Sequence, residues 1–485
     1  MISREKNKIF TVIALSAITF VSFALHVIRI SYPGQPVFDE IYFATYAADY
    51  LHHEFYLDLH PPLGKLIYAA AISFAPHDSI AGAQFMSIKN VSGTSDFAAI
   101  DNHLSYDAFP YVSLRIVSAL FGAALPLIFY CFLKSIRVST IGSLLGSGML
   151  AFENALLLQT RLILLDGMYI AFGFIALGLY FKTHSRPIAA GICWGLSLGV
   201  KLIGVVFLGP VLMGYFLTKR EGGGRAQASV AKFMTAGALV CLLVISLNNF
   251  FFSPDQRFDM WYSMGLTPSR TMPIPSLLTR VPRLSQYALA SVIETVFSVS
   301  SYTMANNKSF PTYSSPWYAW PFMKGGITYY KDRASVIALT GNPVVWWAAT
   351  VAVGIACSMF LWWLIPHIRN YPGKGSPVKS HGSIKHTGAY KTHVILLAGY
   401  MFSLLPFLAI VRRSTFLYHY FPALIFSIGI LVSFMSDILN LNNFNTLTVR
   451  HMRIISLVLI VVISGFIAAA PSTYGQNFLG NFLWP

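Results

Sequence analysis

The feature that most constrains this chain is a succession of apolar runs. Each is close to the roughly 20 residues a helix needs to cross about 30 Å of hydrocarbon. They fall at residues 9–27, 112–133, 140–158, 163–181, 188–217, 233–252, 344–365, 394–411, 416–435 and 454–470. The fifth is long enough for two short spans broken near Lys201, so about eleven spans are expected. Only 11% of the 485 residues are charged, against about a quarter in a soluble domain, which excludes disorder and an ordinary soluble enzyme. The formal charge of +16 does not point to nucleic acid, because the basic residues stand in short clusters between the runs, as a membrane charge asymmetry requires. The expected fold is an all-α polytopic membrane protein, residues 1–485 forming one integral-membrane domain. The first run follows Arg4, Lys6 and Lys8 with no small-x-small cleavage site after it, so it reads as a retained anchor. Cys131, Cys193, Cys241 and Cys357 lie within apolar runs and read as small core residues, not disulfides or metal ligands.

Charge sets the orientation. With a cytoplasmic amino terminus, the inner connections carry Lys134/Arg137, Lys182/Arg186, Lys219/Arg220/Arg225/Lys232, a basic loop at 367–392 without a single acid, and Arg450/Arg453. Residues 32–111 instead hold nine of the chain's 18 acids against Lys65 and Lys89. The positive-inside rule then places two long loops outside, 31–111 and 253–343. Short surface helices are expected in both, at 63–74 after a Pro-Pro pair and at 285–299.

The residues that can carry chemistry gather in and around these loops. Phe38-Asp39-Glu40 is followed by Asp58-Leu59-His60-Pro61-Pro62-Leu63-Gly64-Lys65. Adjacent carboxylates in an extended segment point to opposite sides, so one of Asp39 and Glu40 can face a reaction centre while the other orients the loop or the acceptor. The two prolines stiffen the backbone between His60 and Lys65. The competing reading is an acidic solvated loop followed by a proline helix start. Arg412-Arg413, before Phe416-Leu417-Tyr418-His419-Tyr420, breaks the charge rule, and Arg115 sits at the outer end of the second run. A guanidinium there is costly unless an anion meets it; a lipid phosphate matches it bidentately, and snorkelling to headgroups is the alternative. Arg161 and Asp166 flank another outer connection and read as a pair joining two helix ends. Lys201 is either a functional charge or the mark of a break. No HExxH or CxxC spacing occurs, so no protein-built zinc site is expected; no cofactor is required, and a divalent metal is left open.

Taken together, the segments FDEIYFATYAADYLHHEFYLDLHPPLGKLI, PYVSLRIVSALFGAALPL, ENALLLQTRLILLDGM, GLSLGVKLIGV, SSPWYAWPF and RRSTFLYHYFPAL resemble, in order and spacing, the protein O-mannosyltransferase family of the C-type glycosyltransferase (GT-C) fold. The Asp-Glu pair with HPPLGK is the specific part of the likeness. The resemblance implies transfer of mannose, with inversion, from a polyprenyl (dolichyl) phosphate carrier to Ser or Thr hydroxyls of secreted or membrane proteins. Asp39 then corresponds to the catalytic acid of the motif and Glu40 to its essential neighbour. Arg115, Arg413, Lys65 and Arg412 would bind the donor phosphate, and His60, His419, Tyr418, Arg161 and Asp166 would position substrate. Loop 253–343 has room for surface helices but not for the β-trefoil MIR domain of eukaryotic members. That points to the bacterial or archaeal form, in the cell membrane with its active site on the external face (the lumenal face of the endoplasmic reticulum, were the chain eukaryotic). The nearest rival is an aminoarabinose-transferase-like enzyme acting on a lipid or glycan; a transporter would instead place its functional charges near the bilayer midplane.

Overall fold

The computed structural model describes residues 2–56, 58–81, 105–182, 184–252, 314–332, 335–369, 388–409, 415–441 and 444–475. The chain opens with α1 (Ile2–Val27), followed by α2 (Glu40–His52), α3 (Leu63–Ile72) and α4 (His77–Ala81) in the first loop. Next come α5 (Tyr111–Ser135), α6 (Thr140–Ala151), α7 (Asn154–Arg161), α8 (Asp166–Phe181), α9 (Pro187–Val200), α10 (Leu208–Ser246) and α11 (Asn248–Phe251). The carboxy-terminal part holds α12 (Pro343–Arg369), α13 (Gly388–Ala409), α14 (Phe421–Ile438) and α15 (Val449–Tyr474). Among the described residues, eight stretches are long and apolar enough to cross a bilayer: Glu5–Val27, Tyr111–Ser135, Leu202–Lys219, Gly224–Ser246, Pro343–Trp362, Tyr390–Leu408, Leu417–Ile438 and Val449–Tyr474. The pair α6–α7 makes a ninth if counted as one span, and the shorter apolar α8 and α9 stand where two more were expected. The chain is therefore a polytopic membrane protein.

Several local readings need correction. Run 140–158 is not one straight span, because α6 and α7 meet at a 62° bend. The cause is Glu153. Its buried carboxylate accepts from Leu156 N at 2.7 Å and from Asn342 N at 2.9 Å, so it caps a new helix and ties that helix to the start of α12. The break foreseen at Lys201 is present: α9 stops at Val200, Lys201 is extended (φ −144°, ψ 130°), and a 3-10 turn, Leu202–Phe207, follows. The Asp39-Glu40 pair begins α2 instead of lying in an extended segment. Loop 253–343 is not purely helical, since a small antiparallel hairpin joins β1 (Thr328–Lys331) to β2 (Val336–Ala338), with Lys331 opposite Val336. The surface helix expected at 285–299 lies outside the described residues. The cysteines are free but are not core residues, Cys131 being exposed and the other three half-buried.

Helix α3 begins where the Pro-Pro pair predicts, with Pro62 at its cap and Leu66 N donating to the Pro62 carbonyl at 2.9 Å; proline is preorganised for a helix start. Farther along, Gly191, Gly195 and Gly199 form a stripe on α9. A Cβ on the first two would stand 2.3 Å from the Phe233 carbonyl oxygen and 2.5 Å from that of Gly237. Without a hydrophobic drive between helices in lipid, such close backbone approach supplies the packing. It fixes α9, and hence Lys201 at its end, against α10.

Candidate active site

The site is built on the turn before α2. Phe38 adopts φ 52°, a conformation costly for a bulky residue. Its ring is buried and stacked on Tyr329 at 4.3 Å with only 2° between planes, and that packing holds the turn. Asp39 follows at the amino-terminal cap of α2, yet its carboxylate makes no capping hydrogen bond. Glu40 points the other way and is fully buried. It accepts five hydrogen bonds: from Arg115 Nε (2.8 Å) and Nη2 (2.7 Å), Ile163 N (2.9 Å), Val37 N (3.1 Å) and the Tyr106 hydroxyl (3.2 Å). The roles of the two carboxylates are thus set by a helix start, not by the extended segment that the sequence reading assumed. Glu40 is the anchor, and Asp39 is left half-buried at the start of α2 without a capping hydrogen bond.

Arg115 is consumed by that anchor. Besides Glu40, its Nη1 donates to the carbonyls of Ile30 (3.0 Å) and Pro33 (2.9 Å), and its Nη2 to that of Gln35 (3.4 Å). A guanidinium has five N–H donors, and all five are engaged. Arg115 is therefore not arranged as a donor-phosphate ligand, and Glu40 is not arranged as a proton carrier; the pair locks the first loop onto α5 and the strand-like link before α8.

Two lysine–carboxylate pairs surround Asp39. Lys65 donates to Asp58 Oδ2 and to the His60 carbonyl, both at 2.6 Å, beneath the rings of Tyr46 and Tyr56. Burial holds the Lys65 ammonium below its ordinary pKa while Asp58 pulls it back up. Lys201 Nζ lies 3.0 Å from both oxygens of Asp166. Gln159 Nε2 donates to Asp166 Oδ2 at 2.8 Å and accepts at Oε1 from the Tyr329 hydroxyl. Tyr418 closes this ring, its face 5.6 Å from Lys201 Nζ and its edge toward Phe38. Desolvation pushes the Asp39 carboxyl up from 3.8 to about 7; Lys201 opposes the rise, and Asp166 and Asp58 add to it. The amino-terminal end of α2 also favours the anion, but burial outweighs it.

The expected Arg161–Asp166 pair does not form. Leu162 is extended after α7, which sends Arg161 toward the Ile28 carbonyl and the Tyr474 ring, while Asp166 turns to Lys201. The His60 ring packs 6.1 Å from Phe43. His419 shares a hydrogen bond with Phe416 and sits among Trp320, Phe407 and Tyr418. Arg412 and Arg413 lie outside the described residues, though Thr415 resumes beside Ser315 and leads directly into Tyr418. Asp58, Gln159 and Tyr329 were not singled out from sequence. Asp58 stands two residues before HPPLGK, in the stretch quoted from the sequence, where it was given no role; Tyr329 lies in a stretch with no motif at all. Among the described residues no three His, Cys, Asp or Glu side chains converge as a metal site would require.

Two family models cover most of the chain. Dolichyl-phosphate-mannose-protein mannosyltransferase matches residues 16–247, and the C-terminal four TMM region of protein-O-mannosyltransferase matches residues 292–481. The chain belongs to the protein O-mannosyltransferase family. Among relatives, dolichyl-phosphate-mannose–protein mannosyltransferase 4 of Schizosaccharomyces pombe is 29% identical over 178 residues, 36% of this chain and 21% of that protein. Dolichyl-phosphate-mannose–protein mannosyltransferase 2 of Candida albicans is 24% identical over 277 residues, 53% and 34% of the two chains. The match thus spans about a fifth to a third of these relatives' length. The family fold extends over nearly the whole chain: the Saccharomyces cerevisiae Pmt1–Pmt2 complex bound to the sugar donor superposes with TM-score 0.74 at 16% identity, covering 96% of this chain and 90% of that one. The apo oligosaccharyltransferase of Archaeoglobus fulgidus gives 0.52 at 14% identity, covering 96% and 56%. The fold is the GT-C fold.

Proposed function

We propose that this chain is an inverting glycosyltransferase that moves mannose from a polyprenyl (dolichyl) phosphate carrier to Ser or Thr hydroxyls of polypeptides at the external membrane face. One observation carries the reading. Asp39 presents a carboxylate that caps nothing, on a turn made rigid by Phe38 and Glu40, between two lysine–aspartate pairs. A hydroxyl is a poor nucleophile until its proton is removed in the transition state, and a carboxyl held near neutrality is matched to that task. Asp39 takes the acceptor proton as the hydroxyl oxygen bonds to the anomeric carbon; the bond from that carbon to the phosphate oxygen breaks on the opposite side, and the polyprenyl phosphate leaves with the electron pair. No general acid is needed for so good a leaving group. The growing phosphate charge requires cations aimed at it. Arg413 and Arg412, three and four residues before Phe416, are the candidates, with Lys65 and Lys201 supplying positive potential from the flanks. Glu40 and Arg115 act as positioning residues.

The test is transfer from polyprenyl-phosphate mannose to a Ser/Thr-rich peptide by membranes carrying each variant. Asp39→Asn should lower the rate by about 100-fold or more while the protein remains membrane-inserted, and full activity would remove the base assignment. Arg413→Ala should weaken dependence on donor concentration. Transfer to a lipid or glycan acceptor, with none to peptide, would favour the aminoarabinose-transferase-like alternative.

A further inference from the structure

On the far side of the Glu40–Arg115 pair from Asp39, three polar atoms are buried without a hydrogen-bond partner: Arg29 Nη1, Arg161 Nη1 and Ser335 Oγ. They belong to one small region. The Arg29 guanidinium lies 4.3 Å over the Tyr32 ring, and that of Arg161 lies 4.6 Å over the Tyr474 ring. Between the two rings is Gly475, at φ 96°, where a Cβ would stand 2.3 Å from Ser335 Oγ and 3.2 Å from Tyr32 Cε1. The nearby carboxylate, Glu40, is already held bidentately by Arg115. Arg161 is only 3% exposed. A buried guanidinium with an idle donor and no carboxylate of its own is a strongly unfavourable arrangement unless an anion completes it.

The position indicates which anion. The site lies where α1 and α15 end on the face that carries the Asp39 loop. Tyr474 at the end of α15 donates to the Leu25 carbonyl of α1 at 2.7 Å. Both helices are peripheral, with 11% and 28% of their spans buried. Phe20 and Phe23 on α1, and Ile463 and Ile467 on α15, turn their side chains outward just below the rim. Charged donors therefore stand at headgroup depth above apolar surface that faces lipid chains.

We infer that Arg29, Arg161 and Ser335 form a binding site for the phosphate of a membrane lipid, separate from the Asp39 centre. Two guanidinium groups and a hydroxyl suit a phosphate's several oxygens. The inference does not rest on the proposed transfer reaction. The phosphate can come from a bilayer phospholipid or from a polyprenyl phosphate, and the two are separable by experiment.

The test is native mass spectrometry of the full chain in neutral detergent, titrated with phosphatidylglycerol, with a polyprenyl monophosphate, or with diacylglycerol, which has tails but no phosphate. The wild type should retain one phosphate-bearing lipid in preference to diacylglycerol. R29Q should weaken that retention about tenfold, the loss of one charge-assisted contact, and S335A about fivefold. R161Q should weaken it further. Should R161Q fail to fold, R29Q and S335A decide the matter. Preference for phosphatidylglycerol or for the polyprenyl monophosphate supports the site and says which lipid fills it. Equal retention of diacylglycerol, or wild-type affinity in both R29Q and S335A, would overturn it.

Discussion

Removing the Lys201 charge tests the electrostatics of the site most directly. The Asp39 carboxyl titrates at about 7, up from 3.8, chiefly through burial, and Lys201 is the neighbour that restrains the rise. At about 1.4 kcal/mol per unit, ionising Asp39 inside the fold costs about 4 kcal/mol more than in water. The folded state therefore binds the extra proton across this window, so stability falls as pH rises from about 4 to about 7. The proposed base role has the opposite requirement, since only the Asp39 anion can accept a proton. The ratio kcat/KM for mannosyl transfer should rise with pH and level off above an apparent pKa of about 7. Lys201→Met removes the cation and leaves Asp166 uncompensated, and both changes disfavour the Asp39 anion. An opposite charge at close range shifts a carboxyl by about 1–3 units, so the acid limb should move up by at least about one unit. At pH 7 the ionised fraction would then fall from about half to about a tenth or less. The assay is kcat/KM for a fixed peptide acceptor measured across pH at saturating donor, wild type beside variant. An acid limb that stays in place in Lys201→Met, or moves down, would refute this account of the site.

Two structural predictions follow from buried contacts. Glu40→Gln removes the carboxylate that compensates Arg115, and should destabilise the protein by about 3–5 kcal/mol; denaturant unfolding in detergent measures the loss, and the double variant with Arg115→Met should lose less than the two single changes summed. Gly191→Val drives a side chain into the Phe233 carbonyl and should cost about 1–3 kcal/mol, whereas Gly354→Ala, with nothing within 4 Å of the added Cβ, should be neutral or stabilise by up to about 1 kcal/mol.

The membrane architecture was legible because its cause is local. A run of apolar residues must cross or be buried whatever follows it, and charge between runs orients them. Helix α3 after Pro61-Pro62 and the break at Lys201 were visible for the same reason. The bend between α6 and α7 was not, because what Glu153 does depends on Asn342, 189 residues away, which donates to it.

The sequence by itself determined that the chain lives in a bilayer and which loops are long enough for chemistry. Only the tertiary structure decided what each charge is for. Arg115 looked free to meet a phosphate but is paired with Glu40, 75 residues earlier, and its other donors go to backbone carbonyls. Asp166 looked paired with Arg161 but belongs to Lys201, 35 residues on. A buried charge is governed by whichever counter-charge the packing brings within hydrogen-bond reach. In a low-dielectric interior that choice outweighs any preference written in neighbouring residues, so it is settled by the way the helices assemble.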